Sequence, residues 1–107
     1  LQAVGEQKED ALTFGRAIAA YREALKEISR DGEPMTWAMT MANIGVARRK
    51  LAEYTYDVDA SRRSVGDIQM ALDVFRGAKH ARLTELGLEQ LAIAMEVHAE
   101  LAAEASD

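Results

Sequence analysis

Set against itself at a shift of 47 residues, the sequence matches in size and polarity over two long stretches. Arg16 falls on Arg63, Ala17-Ile18 on Ser64-Val65, Ala24-Leu25 on Ala71-Leu72, and Ile28 on Phe75. Farther on, Asn43-Ile44-Gly45-Val46-Ala47 falls on Gln90-Leu91-Ala92-Ile93-Ala94, and Met39 and Met41 fall on Leu86 and Leu88. A repeat of this length is one supersecondary unit that cannot bury its apolar face alone, so copies must stack. The chain of 107 residues holds about two such units, near 9–54 and 59–104, within a single small domain.

Each unit reads as a pair of helices. Ile18, Tyr21, Leu25 and Ile28 recur at steps of three and four, predicting a helix from about Glu9 to Arg30. Arg30-Asp31-Gly32-Glu33 is a stop and turn. Pro34 suits a first helical position, where its missing N–H costs nothing, and opens a second helix to about Tyr54. That helix has one stripe of Trp37, Met41, Ile44 and Leu51 and another of Met35, Ala38, Ala42 and Val46, so it needs neighbours on two sides. A third helix is predicted from about Ser61 to Ala78, with Asp59 or Ser61 as its N-cap and Gly77 at its fraying end. Its stripe is Val65, Ile68, Leu72 and Phe75. The fourth, from about His80 to Glu104, is again apolar on two sides: Leu88, Leu91 and Met95 form one stripe, Leu86, Ile93, Val97 and Leu101 the other. The fold class is therefore all-α, two stacked helical hairpins of about four helices.

Gly45 lies in the middle of the second helix, where glycine costs up to about 1 kcal/mol in helix propensity. It corresponds to Ala92 in the repeat, so both units place a tiny residue after a large aliphatic one. This predicts a close helix–helix approach at that point.

The motif Ala17-x-x-x-Tyr21-x-x-Ala24, followed by a turn and then Trp37…Asn43-Ile44-Gly45-x-Ala47, resembles tetratricopeptide repeats (TPRs), most closely the longer bacterial variety. The stretch from Ala17 to Leu51 carries the resemblance. Leu1-x-x-x-Gly5-Glu6 is similar to the end of an earlier helix of that family, which implies a start in mid-repeat. The second unit departs from the pattern, with Ser64 for the small alanine, Ile68 for the aromatic and Gln90-Leu91-Ala92 for Asn-Leu-Gly; it reads as a degenerate or terminal unit. The resemblance implies a right-handed helical repeat that binds a peptide or protein along a concave surface. On this chain that surface would be offered by Met39, Ala42, Asn43, Val46 and Arg49, with Lys50 at the edge, and by Leu86, Glu89, Gln90 and Ile93. An amide such as that of Asn43 offers a donor and an acceptor together, which suits a peptide backbone.

Other classes of function find little in the residues. The net charge of −5 argues against nucleic acid, and no apolar run approaches the roughly 20 residues of a membrane span. The absence of cysteine removes disulfides and thiolate metal sites and is compatible with a reducing, cytoplasmic compartment. His80 and His98 lack the spacing of a metal motif, so no metal or cofactor is expected. No nucleophile motif or phosphate loop occurs, and Asp57 and Asp59 are better explained by capping than by acid–base chemistry. The run Arg48-Arg49-Lys50 reads as a solvated helix end. The expected function is non-catalytic protein–protein interaction. Two units are fewer than a stacked array prefers, and Ala92, Ala99 and Ala102 leave an apolar face on the last helix. Self-association as a two-fold dimer is expected on that ground. A purely structural oligomer and a piece of a longer array are the alternatives.

Overall fold

The computed structural model describes the backbone of residues 2–106 and the side chains of 10–106. It contains four α-helices: α1 (Gln2–Ala24), α2 (Pro34–Thr55), α3 (Val58–Gly77) and α4 (Ala81–Ala105). Consecutive helices pack side by side, and α4 also touches α2 lightly. The α2–α3 and α3–α4 turns are very short, so α2 and α4 both run against α3 and point the same way. The molecule measures 45 × 27 × 21 Å.

The main core runs from Ile18 on α1 through Met41, Ile44 and Ala47 on α2 to Ala71 and Phe75 on α3. Tyr21, Leu25, Trp37 and Leu51 close its edges. A smaller cluster of Ile68, Leu72 and Ala94, flanked by Val65 and Leu91, joins α3 to α4. The predicted stripes of α2 and α3 therefore face neighbours as their periodicity requires.

Glycine sets the spacing of both interfaces around α3. A Cβ on Gly45 would sit 2.6 Å from Ile68 Cγ1 and 3.2 Å from the Ser64 carbonyl oxygen. Ser64 Oγ then donates a buried hydrogen bond of 2.8 Å to the Gly45 carbonyl. Across α3, a Cβ on Gly87 would lie 2.8 Å from Leu72 Cδ2. The expected close approach at Gly45 is present, but its repeat partner Ala92 is exposed; α4 meets α3 at Gly87 instead.

Helix boundaries differ from the sequence expectation where capping decides them. The helical backbone of α1 is continuous from Gln2, with no break near Gly5 to mark a separate earlier helix, and Leu1 lies outside the described residues. At its other end α1 stops at Ala24, six residues short of Arg30. Lys26 and Glu27 bond back to the carbonyls of Glu23 and Ala24 in tighter i→i+3 geometry. The chain then turns through Ser29, whose Oγ accepts from the Gly32 amide at 2.8 Å. Ile28 thus falls outside the helix but stays half-buried. The N-cap of α3 is Asp57, not Asp59 or Ser61: its Oδ1 accepts from the Ala60 amide at 3.1 Å. Asp59 sits in the first turn, paired with Arg62. At its far end α3 stops at Gly77, as expected, and Lys79 beyond it takes the left-handed conformation, as Tyr56 does after α2.

Candidate functional site

Because α2 and α4 are parallel and only lightly in contact, they leave a groove above α3. Its first stretch is lined by Met39, Ala42, Asn43 and Val46 on α2 and by Leu83, Leu86, Gly87 and Gln90 on α4. Ile68, Ala71 and Phe75 of α3 form the floor. This stretch encloses about 280 Å³. Met39 is 48% exposed, a large apolar side chain at the rim rather than in the core. Gln90 Oε1 is buried without a hydrogen-bond partner.

The groove continues toward the helix C-termini. There Glu53 and Tyr56 face Ile93, Glu96, Val97, Glu100, Leu101 and Glu104 across about 400 Å³. The floor is aliphatic and the rim is acidic.

Six of the ten residues expected from sequence, Met39, Ala42, Asn43, Val46, Leu86 and Gln90, meet in the first stretch. Ile93 lines the second. Arg49 lines neither stretch; its Nη1 donates to Oε1 of Glu53, which lines the second, at 2.8 Å. Lys50 turns the other way, with Nζ 5.7 Å from the centre of the Phe14 ring on α1. Glu89 is exposed on α4 and lines neither stretch. Sequence reasoning passed over the α3 floor, Leu83 and the acidic second stretch. The glutamates at every fourth position of α4 were the available signal.

The run Arg48-Arg49-Lys50 is not a solvated end. Arg48 is buried, and its Nη1 donates to Asp67 Oδ2 of α3 at 2.7 Å. Burial pushes the Asp67 carboxyl above its usual value, against the opposing pull of Arg48 and Arg63. Burial likewise lowers Arg48 below its usual value, against the pull of Asp67. The pair bridges α2 and α3, and replacing such pairs by apolar residues is often neutral or better for stability.

The two histidines have structural partners. His80 caps α4, its Nδ1 accepting from the Leu83 amide at 3.2 Å. His98 Nδ1 lies 2.9 Å from Ser61 Oγ of α3. Among the described residues no group of three His, Cys, Asp or Glu side chains could hold a metal ion. No helix among them is long and apolar enough to cross a membrane.

Comparison with family models, with curated proteins and with solved structures found no match for this chain.

Proposed function

We propose that this chain is a non-catalytic, TPR-like binding module that takes a peptide or protein segment in the groove between α2 and α4. The observation that carries the reading is the first stretch of the groove. It combines an apolar floor, an exposed methionine and two side-chain amides, Asn43 and Gln90, on facing helices. Grooves that take a peptide segment offer apolar surface to its apolar anchors, and thioethers adapt to many shapes. The cysteine-free sequence suits a cytoplasmic setting for such a module.

Selection of a random peptide library against the native chain tests it. Selected peptides should lose roughly tenfold or more in affinity, about 1.4 kcal/mol, with Met39→Glu or Asn43→Ala. Both residues are exposed, so thermal stability should hold. Binders indifferent to both changes would place recognition elsewhere.

A second reading is self-association, favoured by a different observation. On the side of α4 away from the groove, Leu88 and Met95 are 43% and 53% exposed and lie beside the exposed Ala92. In this reading a second copy covers that strip in a two-fold dimer. Light scattering across a tenfold dilution series should give twice the chain mass of 11.8 kDa; a monomer throughout would sink it.

A further inference from the structure

The two ends of the groove differ in charge. Helix α4 carries five glutamates and one arginine, and so accounts for most of the chain's net charge of −5. Glu96, Glu100 and Glu104 follow each other at every fourth residue, so they stack on one face beside the groove. Like charges at this spacing cost an isolated helix a few tenths of a kcal/mol per pair. None of the three has a cationic partner among the described residues. Glu53 joins them from α2, and only it is paired, with Arg49.

The backbone adds to this field. Helices α2 and α4 are parallel, so their negative C-terminal dipole ends lie at the same end of the groove as the glutamates. Neither helix has a basic residue in its last turn. Tyr56 stands at the mouth, 73% exposed, and an exposed aromatic face attracts a cationic side chain. At the opposite end the groove is apolar, with Met39, Leu83 and Leu86.

We infer that the occupant of the groove is a protein segment of matching polarity, with bulky apolar side chains over Met39 and Leu86 and lysine or arginine side chains against Glu96, Glu100 and Glu104. This rests on the groove reading given above. Between Met39 and Tyr56 the α2 rim is about 26 Å long at 1.5 Å per residue. A segment of about 17 residues covers it as a helix, or about 8 as an extended strand.

Three labelled synthetic peptides test the inference by fluorescence anisotropy. All share a leucine- and methionine-containing first half; the second half carries lysines, glutamines or glutamates. The lysine peptide should bind at least tenfold tighter than the glutamine peptide at low salt. The gap should narrow as the screening length shrinks from about 30 Å at 0.01 M to about 8 Å at 0.15 M. A chain with Glu96→Gln, Glu100→Gln and Glu104→Gln should lose the gap, whereas Met39→Glu should weaken binding of both peptides. Equal binding of the lysine and glutamine peptides, or a gap that survives the triple change, overturns the charge preference. In that event, binding still weakened by Met39→Glu would leave the groove reading standing. Failure of all three peptides to bind overturns both.

Discussion

The outer faces of α2 and α4 are the same face by sequence and opposites by environment. On α2, Ala38, Met41, Gly45, Arg48 and Ala52 are buried, with Gly45 and Arg48 set directly against α3. Moved along by the repeat, these positions become Glu85, Leu88, Ala92, Met95 and Ala99 of α4, and every one is exposed. What separates the two faces is that α3 packs on the first, whereas no described helix packs on the second. A buried face has acquired features that only a fixed neighbour makes useful: a glycine, a serine-to-carbonyl bond and an ion pair. The open face keeps generic small and apolar residues.

Matched substitutions at the two faces should break or sharpen this contrast. Asp67→Ala takes from the buried Arg48 the oxygen acceptor that Asp67 supplies whether ionised or protonated, and should cost about 3–5 kcal/mol in urea unfolding, against a total stability on the order of 5–15 kcal/mol for a domain. Met95→Ala, at the position equivalent to Arg48, should stay within about 0.5 kcal/mol. A large, concentration-dependent cost for Met95→Ala would show instead that a second copy covers α4. Next in size, Gly45→Ala gains about 1 kcal/mol of helix propensity but drives a Cβ into Ile68 and the α3 backbone. Overpacking of this kind costs about 1–3 kcal/mol. A net loss on the order of 1 kcal/mol is expected, while Ala92→Leu should leave the unfolding midpoint unchanged. If Gly45→Ala were stabilising, the spacing of α2 and α3 would not depend on that glycine.

The smallest effect concerns pH. The folded-state value of Asp67 is raised above 3.8 by burial. Folding therefore favours its protonated form, and its contribution is fully present below the unfolded value and lost as pH rises through the folded one. Between about 3.8 and that raised value, acidification should stabilise the native chain relative to Asp67→Asn, which cannot titrate. Parallel urea midpoints for the two chains across this window would show that Arg48 outweighs burial.

Much of this was legible from periodicity and from the repeat. Stripes at steps of three and four placed α2 and α3 against their neighbours, and the lone glycine of α2 located a close crossing. Residue types that serve two purposes misled. Arg48 adjoins two other basic residues and so looked like a solvated end, although it shares an arc with Met41, Ile44 and Ala52. Asp67 likewise sits between Ser64, Ile68 and Ala71 on the buried side of α3. A charge inside an apolar arc on each of two consecutive helices was the signal for the pair. The end of α1 was illegible for another reason: Ile28 continues the stripe because it is still half-buried after the helix has stopped. In the groove, side chains at helical spacing were readable, but its floor depends on how three helices come together, which no single stripe encodes.

Among the described residues, backbone packing joins helices that are adjacent in the chain, except for the light touch of α4 on α2. Assembly therefore needs no long loop to close, the condition under which small helical domains fold in microseconds to milliseconds. The α2–α3 hairpin, joined by the shortest turn, can form first as a template, and α1 and α4 add to its opposite sides. The contact order predicts a seed in the middle of the chain, with its two ends as late, separately reversible additions. The groove exists only once the second of these, α4, has docked.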